Sequence, residues 1–269
     1  MSDSRENTPV TLDALNVLQR SGEKIACLTC YDASFTRVLE SAGVDMFIIG
    51  DSLGMVLLGH ASTGPVTLDD MAYHAASVAR VGRRCYRVVD LPKGSYDNPG
   101  QALASAQRLM EAGADMVKLE GGIPMAATVE SLAGHDIPVC GHVGLLPQSV
   151  SRPGEYRVQG REPDAAAAIL ADACALQDAG AGMLVMECIP ARLGGEITAA
   201  LTIPTIGIGA GPDCDGQVLV LYDMLGITPG RLPRFVHDFL ADTGSIPAAV
   251  AAYVRAVKDG SYPAPHHCY

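Results

Sequence analysis

Three segments of the chain repeat one pattern, and that repetition restricts the fold more than any other feature of the sequence. They are Glu40 to Asp51 (ESAGVDMFIIGD), Met110 to Glu120 (MEAGADMVKLE) and Gln177 to Glu187 (QDAGAGMLVME). In each, a helical pattern ends at a glycine suited to a left-handed cap, and a short apolar strand then runs to a carboxylate. Gly43, Gly113 and Gly180 lie about seventy residues apart, which leaves room for a further strand–helix unit between successive pairs. Arg87–Asp90 and Pro138–Val143 read as the intervening strands, Ile25–Cys30 precedes the series, and Thr205–Gly209 and Gln217–Leu221 complete it. Helical patterns fall between them at Asp32–Ser41, Thr67–Ala79, Pro99–Ala112, Met125–Gly134, Asp164–Ala179 and Ala191–Ala200. Thr67-Leu68-Asp69-Asp70 opens one of these with a capping-box-like signal, and Pro99 suits a first helical turn.

Strict alternation of helices with short, wholly apolar strands implies a parallel sheet covered by helices. Eight units favour closure into a (β/α)8 barrel, with a doubly wound open sheet as the alternative. The glycine fingerprint of an open nucleotide-binding sheet would follow the first strand, and Tyr31-Asp32-Ala33-Ser34 is unlike one. Gly207-Ile208-Gly209-Ala210-Gly211 comes late in the chain. It reads as a tight turn that lets a ligand approach the backbone. A length of 269 residues suits one barrel spanning 1–269, with a polar N-terminal extension over about residues 1–10. The net charge of −11 supplies no basic stripe for nucleic acid. The polar start has no signal-peptide core, and no stretch approaches the ~18 apolar residues of a membrane span. The expectation is a soluble, cytoplasmic protein. Cys27 and Cys30 invite a zinc or redox reading, but residues three apart on a strand face opposite ways, so buried, reduced thiols are expected.

In such barrels chemistry sits at the C-terminal ends of the strands. Those ends carry Asp51, Asp90, Glu120, His142 and Glu187, five polar groups from five strands. Asp51, Asp90 and Glu120 are hard oxygen donors, which suit Mg2+ or Mn2+ better than zinc. Lys118 and Glu120 lie two apart on one strand and so share a side. A lysine directed into a barrel needs a partner: the carboxylate of a substrate, or Glu120 itself. Glu187 ends an apolar run, a setting that raises a carboxyl pKa and suits a general base.

At these residues the chain resembles the ketopantoate hydroxymethyltransferase family. The resemblance is carried by Gly50-Asp51-Ser52-Leu53-Gly54-Met55, Asp90-Leu91-Pro92, Lys118 to Gly122, Cys140 to Ser149, Val158 to Arg161, Glu187 to Pro190, Ile206 to Gly211 and Asp215 to Gln217. It runs from about Thr29 to the C-terminus in one order. It implies a (β/α)8 barrel of the phosphoenolpyruvate/pyruvate type, cytoplasmic, assembled as a homodecamer of two pentameric rings. The implied reaction joins 3-methyl-2-oxobutanoate and 5,10-methylenetetrahydrofolate into 2-dehydropantoate and tetrahydrofolate, in pantothenate and coenzyme A synthesis. By the same resemblance Asp51 and Asp90 bind Mg2+, with Glu120 completing the site directly or through water. Asp51, Ser52, Asp90 and Lys118 hold the oxo acid, Glu187 accepts the proton and His142 lines the pocket. Lys93, Ala61, Pro124 and Arg231 depart from the family pattern and put loop shape and folate contacts in question. Competing expectations are a metal-dependent carbon–carbon lyase or aldolase that uses no folate, and a non-catalytic barrel scaffold.

Overall fold

Seven of the eight strands contribute alternate side chains to two separate apolar clusters, as a period of two requires when both faces of a sheet are covered. The structure is a computed structural model and describes residues 8–150 and 156–269. Its strands are β1 (Ile25–Thr29), β2 (Met46–Ile49), β3 (Tyr86–Asp90), β4 (Met116–Glu120), β5 (Val139–Gly144), β6 (Met183–Glu187), β7 (Thr205–Ile208) and β8 (Gly216–Leu219). They form a closed barrel in chain order, and β1 pairs with β8 in parallel from Ile25↔Gly216 to Leu28↔Leu219. That pairing excludes the open-sheet alternative. The helices are α1 (Leu12–Ser21), α2 (Ala33–Ser41), α3 (Leu53–Val56), α4 (Leu68–Ala79), α5 (Pro99–Glu111), α6 (Ala126–Ala133), α7 (Pro163–Asp178), α8 (Ala191–Ala200), α9 (Leu221–Met224), α10 (Phe239–Thr243) and α11 (Ile246–Lys258). Of the expected polar extension, residues 1–7 lie outside the described residues; by Val10 the chain is already tied to the barrel, through a hydrogen bond from its N–H to Arg84 O.

The three repeated glycines all adopt positive φ, at 88°, 106° and 102° for Gly43, Gly113 and Gly180. After each, the next N–H reaches back five residues: Val44 to Leu39 O, Ala114 to Leu109 O and Ala181 to Leu176 O. This is the 6→1 bond of a Schellman cap, and it turns each helix directly into a strand that carries a site residue or, for β2, leads to one. The capping box at Thr67 is also present, with Asp70 as its reciprocal partner.

Inside the barrel, Ile25, Cys27, Met46, Ile48, Tyr86, Val88, Met116, Cys140, Met183, Val185, Ile206 and Val218 form one packed column. Helix α1 lays Leu15, with Leu12 and Leu18, against the lower end of that column and closes the N-terminal mouth. Full burial of one such leucine stabilises the fold by about 1.5–3 kcal/mol.

Cys27 belongs to the inner column and Cys30 to the outer shell, as opposite facing demands. Both thiols are free and buried, and burial pushes Cys30 up to about 12. Neither is a thiolate at neutral pH. Cys27→Ser and Cys30→Ser are therefore expected to leave turnover insensitive to reductant, with a loss of stability of about 1–3 kcal/mol for the newly buried hydroxyl. A wild-type activity that depends on reductant, and loses that dependence in the variants, would contradict this.

Candidate active site

The inner column has a polar top. Above Val88 stands Asp90, above Met116 stand Lys118 and then Glu120, above Cys140 stands His142, and above Val185 stands Glu187. Each continues the inward parity of an apolar residue two positions earlier, or four for Glu120, so strand alternation alone aims it into the barrel mouth. Asp51 breaks this rule. Strand β2 ends at Ile49, and it is Gly50 that continues the inward parity; Asp51 enters through the turn that follows. All of these residues, with Ser52, line one cavity of about 1510 Å³ at the C-terminal end of the barrel. The structure thus brings every residue expected at the site into one place.

Lys118 is buried and its Nζ lies 3.1 Å from Asp90 Oδ1, with His142 Nδ1 at 3.4 Å. The alternative of a simple Lys118–Glu120 pair is therefore not what forms. Burial works against the ammonium, but Asp90, Glu120 and Asp51 outweigh it and hold Lys118 protonated. Asp90 accepts a hydrogen bond from Asp51 N–H at 3.2 Å on its other oxygen. Burial, then the neighbouring Asp90, pushes Asp51 up to about 8. Burial likewise raises Asp90, against the pull of Lys118. Next to Lys118, His142 Nε2 faces Glu187 Oε2 at 3.2 Å, while its Nδ1 faces Glu120 Oε1 at 3.6 Å. Burial and Lys118 disfavour a charged ring, yet the two flanking carboxylates prevail and lift His142 to about 9. Glu187 keeps 15% side-chain exposure and so opens to the cavity, where the other acids are enclosed.

Four carboxylates therefore meet two cationic side chains, which leaves negative charge in excess on the cavity floor. Asp90 Oδ1 and His142 Nε2 are buried and make no hydrogen bond of good geometry beyond these ion contacts. A hard divalent cation fits this donor set, with Asp51 and Asp90 as its protein ligands. Among the described residues no three acidic, histidine or cysteine side chains form a ready ligand cage. Two carboxylates supplemented by water and substrate match how Mg2+ is commonly held.

Gln148 was quoted in the sequence only as part of a motif, and its role depends on tertiary contacts. It is buried, and its Nε2 donates to Asp51 Oδ2 and to Leu91 O, both at 2.9 Å. Its Oε1 accepts from Tyr96 OH at 2.5 Å, and its backbone N–H donates to Glu120 Oε2 at 3.0 Å. Every polar atom of the side chain is used, so the amide orientation is dictated and Asp51 is held in place. Gln148→Leu should lower the unfolding free energy by about 2–4 kcal/mol, because it strands the buried Asp51 carboxylate and Leu91 carbonyl and the part-buried Tyr96 hydroxyl. Chemical denaturation measures this; a change below ~1 kcal/mol would show that the clamp is unimportant. Tyr31, equally unforeseen, shares a hydrogen bond with Ser52 Oγ at 2.9 Å. Cys188, directly after Glu187, sits at φ 49°, a strained position for a residue with a Cβ.

The glycines from Gly207 to Gly211 do not admit a ligand. A Cβ at Gly209 would meet Phe235 at 2.6 Å, one at Gly207 would meet Cys214 at 2.8 Å, and one at Gly211 would meet Ala191 at 2.5 Å. They make room for the protein's own packing. Lys93 is exposed and lines a separate outward cleft beside Gly64 and Thr67, away from the acidic floor. Ala61 and Arg231, by contrast, line the main cavity. Pro124 lies in a 3-10 turn, Ile123–Met125, that contributes nothing to it.

Comparison with known proteins agrees with this architecture. The family model described as ketopantoate hydroxymethyltransferase matches residues 9–265. A 3-methyl-2-oxobutanoate hydroxymethyltransferase of Thiobacillus denitrificans is 60% identical, over 97% of this chain and 100% of its own. One from Azoarcus sp. (strain BH72) is 56% identical over the full length of both. Among solved structures, a putative phosphonomutase from Burkholderia cenocepacia J2315 superposes with a TM-score of 0.64 at 19% identity, covering 80% of this chain and 95% of its own. A phosphoenolpyruvate phosphomutase from Streptomyces platensis subsp. rosaceus gives 0.62 at 15%, covering 95% and 92%. At such identities these structures speak for the barrel alone. With the family model spanning nearly its whole length and a full-length relative sharing 60% of its residues, this chain belongs to the ketopantoate hydroxymethyltransferase family.

Proposed function

We propose that the protein transfers the one-carbon unit of 5,10-methylenetetrahydrofolate to 3-methyl-2-oxobutanoate. With one water, the products are 2-dehydropantoate and tetrahydrofolate, and the step serves pantothenate and coenzyme A synthesis. The observation that carries this reading is the division of the cavity floor. Asp51, Asp90 and Lys118 form one cluster, and the Glu187–His142 pair forms a second that adjoins it through the 3.4 Å contact of Lys118 with His142.

A divalent ion, Mg2+ or Mn2+, held by Asp51 and Asp90 with Glu120 acting through water, would supply Lewis-acid polarisation of the substrate carbonyl. Lys118 places a fixed positive charge beside the oxo acid, where negative charge sits and then grows. Ser52 offers a hydroxyl already oriented by Tyr31. Glu187 takes the proton from carbon 3, and the resulting enolate attacks the methylene carbon of the folate. His142 holds Glu187 in position through its 3.2 Å contact. Glu120 and Glu187 together keep the ring charged, so it serves as a donor to Glu187 and not as a competing base.

No helix among the described residues is long and apolar enough to cross a membrane. The reading includes a cytoplasmic homo-oligomer, supported by exposed apolar side chains such as Leu58, Tyr73 and Ile123. The decisive test is product formation from the two substrates, lost on chelation and restored by Mg2+. Cleavage of a 2-oxo acid, or condensation with formaldehyde at the same rate without folate, would mark a carbon–carbon lyase instead.

A further inference from the structure

The cavity has two electrostatic ends. Its floor is acidic and buried, whereas its outer wall carries four exposed arginines, Arg157, Arg161, Arg231 and Arg234, in a chain of net charge −11. Surface arginines usually neutralise nearby acids. Among the described residues, none of the four forms an ion pair. Arg234 is held in place nonetheless: its Nη1 donates to Cys268 O at 3.0 Å, and its guanidinium carbon lies 5.6 Å from the centre of the Tyr269 ring. Arg161 also acts on Tyr269: burial and Cys188 raise the phenol, and both Arg234 and Arg161 oppose that rise. Arg234 thus stands against the Tyr269 ring, and all four arginines line the same cavity as Glu187.

Size and lining sharpen the point. A drug-sized ligand fills a pocket of roughly 300–1,000 Å³, so 3-methyl-2-oxobutanoate, far smaller, leaves most of this cavity free. Besides the acids and the arginines, the lining includes apolar and aromatic side chains, among them Met55, Leu145, Ile208, Tyr222 and Phe235. A ligand that suits the whole space has a reactive group for Glu187, a flat apolar body and an anionic tail.

We propose that Arg161 and Arg234 beside Tyr269, with Arg157 and Arg231 flanking them, bind the carboxylate-bearing tail of the one-carbon donor. The inference rests on the proposed reaction and extends it: the site selects donors by tail charge, and donors that carry several linked glutamates bind best. Flexible, multiply anionic tails gain from several exposed guanidinium groups without needing one fixed geometry.

Calorimetric titration with tetrahydropteroate, tetrahydrofolate and tetrahydrofolate triglutamate tests this. In the wild type, affinity should climb across the series, by ~10-fold or more from first to last, and the climb should shrink at high salt. In the Arg161→Ala/Arg234→Ala double variant the three ligands should bind alike, with the tetrahydropteroate affinity retained. Equal wild-type affinities, or a variant that loses all three ligands in proportion, would overturn the proposal. Turnover assays on the same preparation separate it from the reading beneath it. Folate-dependent transfer with a flat affinity series sinks the tail site alone, whereas carbon–carbon cleavage without any folate requirement sinks both.

Discussion

Asp51→Asn and Asp90→Asn are each expected to reduce turnover by about 10²-fold or more, through weakened divalent-ion binding, while the barrel still folds. The Asp51 variant carries a second expected result, of opposite sign, in stability. In the metal-free protein Asp51 keeps its proton to about pH 8, against 3.8 for an ordinary carboxyl, because burial and Asp90 both disfavour its charge. The folded state thus binds more protons than the unfolded chain between those values. A raised pKa of this kind favours the fold fully below the unfolded value, and that favour is lost as pH climbs toward the folded one. The slope approaches ~1.4 kcal/mol per pH unit for one such group. Asparagine carries no charge and can still accept from Gln148, so the metal-free variant should exceed the wild type in stability at pH 8 and match it more closely at pH 5. Saturating Mg2+ should remove the wild-type deficit. Denaturant unfolding at the two pH values, with and without chelator, measures the difference. Identical pH slopes in wild type and variant, or activity that survives chelation and dialysis in both Asn variants, would show that these carboxylates are misassigned.

Most of the site was legible because it obeys strand parity. Asp90, Lys118, Glu120, His142 and Glu187 each extend an inward column of apolar residues, and a period of two can be read directly from a sequence. The Schellman glycines mark where two of those strands, β4 and β6, begin, and where β2 begins before Asp51. What escaped is what depends on chain segments meeting. Gln148 is 97 residues from Asp51 and 28 from Glu120, and nothing local distinguishes a clamping glutamine from a surface one. Tyr96 and Tyr31 act through it and through Ser52 in the same way. Helix α1 went unread because its buried stripe is only Leu12, Leu15 and Leu18, a narrow face that gains meaning once a barrel mouth exists to receive it. The glycines near Gly209 read in sequence as a place for a ligand, whereas the atoms that crowd them belong to Phe235, Cys214 and Ala191. Absence of a side chain records a close approach, not the identity of what approaches.

Glu187→Gln is expected to have the largest effect of any conservative change in the cavity. The amide preserves the shape of the carboxylate and its contact with His142, 3.2 Å away, yet it cannot accept a proton. Loss of a general base typically lowers rates by ~10²–10⁴-fold. In the proposed reaction proton removal precedes carbon transfer, so the oxo acid alone should exchange its carbon-3 hydrogen with deuterium oxide in the presence of Mg2+ and the absence of folate. Exchange and overall turnover should then fall together in the Gln variant. Binding of Mg2+ and of the oxo acid should persist, since Asp51, Asp90 and Lys118 are held by one another and by Gln148, not by Glu187. The alternative base is His142, and its environment argues against it: held near 9 by Glu120 and Glu187, the ring already carries its proton at neutral pH. Removing the charge of Glu187 takes away one of the two carboxylates responsible, which would free some neutral imidazole and give the variant a residual activity that rises with pH. A small exchange rate with that dependence is therefore consistent with Glu187 as the base. Deuterium exchange at the wild-type rate in Glu187→Gln, at neutral pH, would assign the proton to another group.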